Sequence, residues 1–219
     1  MPETQGQLDA WGMAWVHQVY RREFHLLSSL VRGVADGDTE RAALVAEHIT
    51  DITNSLHEHH VAEDELLWPL LLERATPAAD VVHRMEKQHE ALHTLLQELD
   101  ELTPNWRATA AETDRDALAE LVSRTSAVID EHLQDEEAHV MPLIEQHVSQ
   151  EEWLAFELAG HASIPQEKAL LFLGLGLEDA TPHEHEMFVG GLPPEVVEMW
   201  EQFGKAEYDR QRANLLSNG

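Results

Sequence analysis

Between residues 38 and 75 the inward-facing positions fall at Val45, His48, Ile52, Leu56, His59, Glu63, Leu66 and Leu70. This three-to-four spacing, held over about seven turns, predicts one long amphipathic helix. Asp38 and Thr39 offer its N-cap. A first helix is expected over 8–35, closed by the turn ADGD. The segment RATPAAD interrupts the second helix, a third is expected over 78–102, and LTPNWRATAAETD reads as a loop. The fourth helix, 114–148, sets Leu118, Leu121, Thr125, Ile129, His132, Glu136 and Leu143 on one face. Four long helices with short connections imply an all-α, antiparallel up-down four-helix bundle.

The second and fourth helices repeat each other. SLHEHHVAEDELLWP (55–69) aligns with VIDEHLQDEEAHVMP (128–142), so Glu58, His59, Glu63 and Pro69 recur 73 positions later as Glu131, His132, Glu136 and Pro142. The first and third helices repeat more faintly: Met13 and His17 recur 72 positions later as Met85 and His89. A His and a Glu four residues apart stand on one helical face, one turn apart. Either pair alone reads as an ordinary surface pair worth about 0.2–0.5 kcal/mol. Two matched pairs on inward faces point instead to a pair of metal ions held between helices. His60 with Asp64 has the same spacing but no counterpart, since position 133 is leucine, and His57 aligns with Asp130. The order of preference is therefore His59, His60, His57. Pro69 and Pro142 each remove an amide donor, so a kink or stop is expected just beyond each Glu.

Helix arithmetic selects among the other histidines. With the first turn centred near Gly37, His17 lies level with about residue 57, and a ~1.5 Å rise per residue puts His25 about 15 Å below His59. His17 is thus a candidate ligand, and His25 is expected beside His48. A second turn centred near residue 108 leaves His89 about 7 Å from the level of His132, so Glu86, one turn earlier, competes with it. His93 shares the His89 face one turn on, and Arg21 holds the equivalent position in the first hairpin. His139 is expected to be packed or partner-bonded, and His83, His147, His161, His183 and His185 solvated. Tyr20 reads as a core aromatic near the site.

Composition narrows the chemistry. The 219 residues include 15 histidines and no cysteine, which excludes thiolate ligands and disulfides. Asp and Glu number 42 against 14 Lys and Arg, for a net charge of −28. That excess speaks against nucleic acid or an anionic membrane as partner and favours cations near the surface. With no stretch of ~18 apolar residues and no basic-then-apolar leader, a cytoplasmic protein is expected.

His17, His59 with Glu63, His89 with His93, and His132 with Glu136 and then Glu137 stand in an order that resembles the hemerythrin family, also called the HHE cation-binding domain. The resemblance covers roughly 10–150, and EDELLWPLL and MEKQHEAL look especially like its bacterial members. It implies a four-helix bundle around two non-haem irons joined by an oxo or hydroxo bridge and held by five histidines and two bridging carboxylates. The implied metal ligands are His17, His59, Glu63, His89, His93, His132 and Glu136, with His60, Glu86 and Glu137 as alternatives. In hemerythrin proper the fourth-helix carboxylate is an Asp five residues after its His. Here Glu136 stands at four and Glu137 at five, which leaves the bridging residue and reversible oxygen binding open.

The resemblance implies O2, peroxide or nitric oxide as small ligands, a place in oxidative or nitrosative stress, and a monomer or homodimer. Iron storage or a sensor module is the alternative. Two octahedral ions offer about twelve positions, of which two carboxylates take about four, the bridge about two and five histidines five. One position then remains for a diatomic; without His93 about two remain, which suits peroxide or nitric oxide chemistry. Residues 151–219 lie outside the minimal domain and read as short helices broken at HASIPQ, DATP and GGLPP. Trp153, Phe156, Leu170, Phe172, Trp200 and Phe203 are available there to pack on the bundle.

Overall fold

Helix α1 (Trp11–Arg32) leads through a short turn into α2 (Thr39–Ala62), where Asp38 accepts a hydrogen bond from the Arg41 amide at 3.0 Å as the N-cap. A π-helical turn (Glu63–Leu67) joins α2 to α3 (Trp68–Arg74). There follow α4 (Ala79–Thr109), α5 (Glu112–His139), α6 (Met141–His147) and α7 (Gln150–Ser163). The structure, a computed structural model, describes residues 8, 10–75 and 79–217. Among these there is no strand, and no helix is long and apolar enough to cross a membrane. Packing of α1 on α2, α2 on α4, α4 on α5 and α5 on α1 closes the ring of an up-down four-helix bundle.

Where the second helix was expected to break, Thr76, Pro77 and Ala78 lie outside the described residues. The third helix is longer than its sequence suggests, because α4 runs through Pro104 to Thr109. Thr103 and Trp106 are buried on either side of that proline, and their packing outweighs the lost amide bond. Ala110, at φ 48°, ends the helix. The connection to α5 is thus two residues rather than a long loop. Gly37, at φ 79°, donates its amide to the Ala110 carbonyl at 3.0 Å, so both turns meet at one end of the bundle. Moving the second turn from near residue 108 to Ala110–Ala111 brings His89 level with His132 and closes the axial gap.

Both long helices change phase after their glutamate. The inward stripe of α2 runs Ile52, Leu56, His59, Glu63, then shifts to Leu67 and Leu71 rather than Leu66 and Leu70. Pro69 has no amide for the carbonyl one turn back. The π turn absorbs the misfit, with the Trp68 amide bonding the Glu63 carbonyl five residues back. The second hairpin makes the same slip by a break at Val140 ahead of Pro142, and the buried residues become Val140 and Ile144 rather than Leu143. Beyond the slip, Leu67, Leu71, Val140 and Ile144 form a cap with Met13, Met85 and, from α7, Trp153 and Phe156.

His25 does not pack beside His48. It is exposed and bonds Asp130 at 2.7 Å, whereas buried His48 bonds buried Glu23 at 2.8 Å. One compact unit ends at Ser163 and a second begins at Ile164. The second holds α8 (Ala169–Leu177), α9 (Pro182–Gly190), α10 (Pro194–Met199), a π turn (Trp200–Gly204) and α11 (Lys205–Leu216). Within it the Tyr208 ring lies on Gly174, where a Cβ would collide with it, and Glu178 accepts from Tyr208 Oη and Arg212. Trp200 is buried there, while Phe203 is exposed.

Candidate metal centre

Four ligand atoms, one each from His17, His59, Glu63 and Glu136, lie within 4.8 Å of one another, and so do four from His60, Glu63, His89 and His132. Every one of these residues is buried. Glu63 belongs to both groups: Oε1 is 3.0 Å from His59 Nε2 and Oε2 is 3.4 Å from His89 Nε2. Glu136 Oε2 sits 3.5 Å from His17 Nε2 and 3.6 Å from His132 Nε2. Each carboxylate therefore faces one histidine from either group, as a bridge between two cations requires. His17 and His59 point their Nε2 atoms at each other, 3.2 Å apart.

Helix α2 contributes two adjacent histidines because it is wedged between α1 and α4. His59 turns towards His17, with ring centroids 5.4 Å apart, and His60 stacks on His89 at 4.2 Å. The repeat argued against His60, since its counterpart is Leu133. The structure nonetheless places His60 in the second group.

Of the residues expected at the centre, His17, His59, Glu63, His89, His132 and Glu136 are brought together. His93 is not. The buried stripe of α4 runs Met85, His89, Leu92, Leu96, which rotates His93 outward, where its Nε2 meets Gln97 Nε2 at 2.9 Å. Glu86 is half-buried outside the centre. Glu137 does not enter it either; its Oε1 accepts from His17 Nδ1 at 3.0 Å while Arg21 grips both carboxylate oxygens at 2.8 and 3.1 Å.

Glu137 has a symmetry mate that sequence reasoning missed. Asp64, 73 positions earlier, accepts from His89 Nδ1 at 2.8 Å. Each hairpin's glutamate is thus followed by an acid that orients the early histidine of the other hairpin. The signal was present in the dipeptides Glu63-Asp64 and Glu136-Glu137. Gln88 Oε1 holds His132 Nδ1 at 2.9 Å. With Nδ1 engaged in this way, three rings turn Nε2 lone pairs into the centre. His139 is exposed and pairs with Asp135 at 2.8 Å, while buried Tyr20 donates to the Ser55 carbonyl at 3.0 Å beside His59.

Electrostatics describe a site short of positive charge. Burial pushes Glu63 up to about 7, and burial together with Glu63 pushes Glu136 up to about 8. Burial depresses His59 to about 4 and His132 to about 2, and it lowers His17 and His60 as well. His89 moves the other way: burial opposes its protonation, but the Asp64 hydrogen bond and the charge of Glu63 prevail. For Glu137 burial is likewise outweighed, here by His17 and Arg21, which hold it down at about 2.

Among the described residues, ten buried side-chain nitrogen or oxygen atoms have no hydrogen-bond partner, and seven belong to this site. They are His60 Nε2, His89 Nε2, His132 Nε2 and both oxygens of Glu63 and Glu136. The 3.0 Å approach of His59 to Glu63 is too poorly aligned to satisfy Oε1. Buried polar atoms are rarely left alone, and seven converging donors of lone pairs fit cations. No curated protein and no solved structure matches the chain. The family model described as the hemerythrin HHE cation binding domain matches residues 15–144, more than half of the chain, and the chain belongs to that family.

Proposed function

We propose that the centre holds two non-haem irons joined by an oxo or hydroxo bridge and that it binds O2 or a related small oxidant such as peroxide or nitric oxide. The observation that carries this reading is the pair of four-ligand groups sharing Glu63 and straddled by Glu136, in which seven buried polar atoms lack partners. Imidazole and carboxylate together suit iron, and bridging carboxylates offset the charge of two close cations. Iron would supply reversible electron transfer to the small ligand.

Five histidines converge even though His93 faces outward, because His60 makes up the number. The second group has three of them and the first only two. About twelve positions on two octahedral ions, less about eleven filled, leave one. It would belong to the ion that His17 and His59 would hold, and Tyr20 and Phe156 pack beside His59 there, with ring centroids 5.5 and 6.0 Å from it. Apolar cover from α7 keeps bulk water from that side and favours a small, neutral ligand. One vacancy supports reversible binding of one diatomic better than turnover of peroxide.

Elemental analysis with a visible spectrum, recorded before and after reductant and air, tests the reading. Two irons per chain and a near-ultraviolet band lost on reduction are expected; zinc, or no stoichiometric metal, would overturn it. Iron buffering is the second reading, favoured by the net charge of −28, and it predicts more than two irons per chain.

A further inference from the structure

A groove of about 590 Å³ opens between α2 and α4, immediately outside the inner centre. His60 and His89 form its floor, so the rings that face the inner centre also face the groove. On its walls stand His57 and His93, whose ring centroids are 5.1 Å apart. That separation lies within the 4.2–5.4 Å found between rings that share a group in the inner centre. Asp64, Glu86 and Glu90 line the same groove, and no lysine or arginine does.

The pseudo-symmetric flank is built differently. In the first hairpin, the position equivalent to His93 is Arg21, whose guanidinium seals Glu137 over the back of His17. A fixed cation there repels another, whereas a recessed groove lined by carboxylates and imidazoles concentrates cations from solution. One flank of the centre is closed to cations and the other is open.

We infer that the imidazole pair His57 and His93 forms an outer site for a divalent cation in the field of Glu86 and Glu90, which line the same groove, and that metal reaches the inner centre from there past His60 and His89. The outer site stands on its own residues; its role in loading rests on the two-metal reading above. His57 and His93 capture the ion from water, the acids lower its potential energy in the groove, and rotation of the His60 ring, whose Nε2 has no hydrogen-bond partner, passes it inward beside His89.

Cobalt(II) is the probe, added to the metal-free protein and to a His57→Gln/His93→Gln variant. The wild type should show a weaker binding equivalent beyond the inner ones, absent from the variant. Stopped-flow uptake should slow by about tenfold or more in the variant, with the same final inner stoichiometry. Because His57 is only half-buried and His93 exposed, the variant chain should fold. A Glu86→Gln/Glu90→Gln variant, which leaves both imidazoles in place, should slow uptake to a smaller extent and lessen its dependence on salt. Equal uptake rates and an unchanged weak equivalent in the histidine variant would overturn the inference. If the wild type took no inner cobalt at all, the two-metal reading would fall, and the weak equivalent, present or absent, would still decide the outer site.

Discussion

The two halves of the centre share their carboxylates and differ in nearly everything around them. His17 and His59 face a flank sealed by Arg21 and Glu137 and roofed by Phe156, while His60 and His89, which share their group with His132, back onto an open acidic groove. A duplicated scaffold has thus produced one crowded, three-histidine position and one two-histidine position under cover. Symmetry in the backbone places the ligands; departures from symmetry, at His60 against Leu133 and His93 against Arg21, decide what each half can do.

The largest effect is expected from removing what the halves share. Glu136→Leu should abolish two-metal binding by elemental analysis. It should also leave the metal-free fold as stable as before or up to about 1–4 kcal/mol more stable in thermal melts, since an unpaired buried carboxyl is gone. A metal-free variant that melted well below the wild type would show that Glu136 is structural instead. Next, His60→Ala should weaken the three-histidine position by about a hundredfold or more, beyond the cost of losing a supporting residue. His93→Ala should leave the stoichiometry at the centre unchanged, and metal titrations of the two variants side by side decide which histidine ligates.

Protons compete with metal for the same atoms. The raised carboxyls, Glu63 at about 7 and Glu136 at about 8, must ionise before they bind cations. Affinity should therefore fall by about a hundredfold between about pH 8.5 and about pH 6.5, with protons released on binding. For the metal-free fold the sign is opposite. A carboxyl raised in the folded state supports folding below the ordinary carboxyl range and withdraws that support as pH climbs through about 7 and 8. The gap in melting temperature between loaded and empty protein should accordingly widen with pH over that window, as calorimetry would show.

Supporting contacts come after that. Asp64→Asn and Glu137→Gln should each lower affinity by about tenfold or more, the first at the three-histidine position and the second at the two-histidine one. Equal losses at both positions would erase the distinction between halves. Smallest is a change at the far end: Gly37→Ala, where φ is 79° and no atom lies within 4 Å of an added Cβ, should cost about 1–2 kcal/mol through the backbone alone. Metal affinity should not change.

Much of this was legible in the chain because periodicity and duplication both report on inward faces. Apolar spacing gave four helices, and the offset of 73 paired His59 and Glu63 with His132 and Glu136. What escaped were features that depend on neighbours. Pro104 looked like a boundary until Trp106 and Thr103 were seen anchored in the core. Leu66 and Leu70 fell on the expected stripe only because a uniform 3.6-residue repeat cannot include a π turn. His60 had no mate in the repeat, and its place depends on α2 lying between α1 and α4, which no single-helix pattern encodes. Glu137 and Asp64 looked like rivals of the ligands because spacing alone cannot say which nitrogen of a histidine an acid will meet.

The phase slip after Glu63 and Glu136 has a use for anyone redesigning the molecule. It acts as a rotary joint between two stretches of each helix: the ligand-bearing stretch keeps one angular setting and the cap keeps another. Leu67, Leu71, Val140, Ile144 and the aromatic residues of α7 could be exchanged as a cassette, resized around a larger or smaller guest, without turning either glutamate out of the centre.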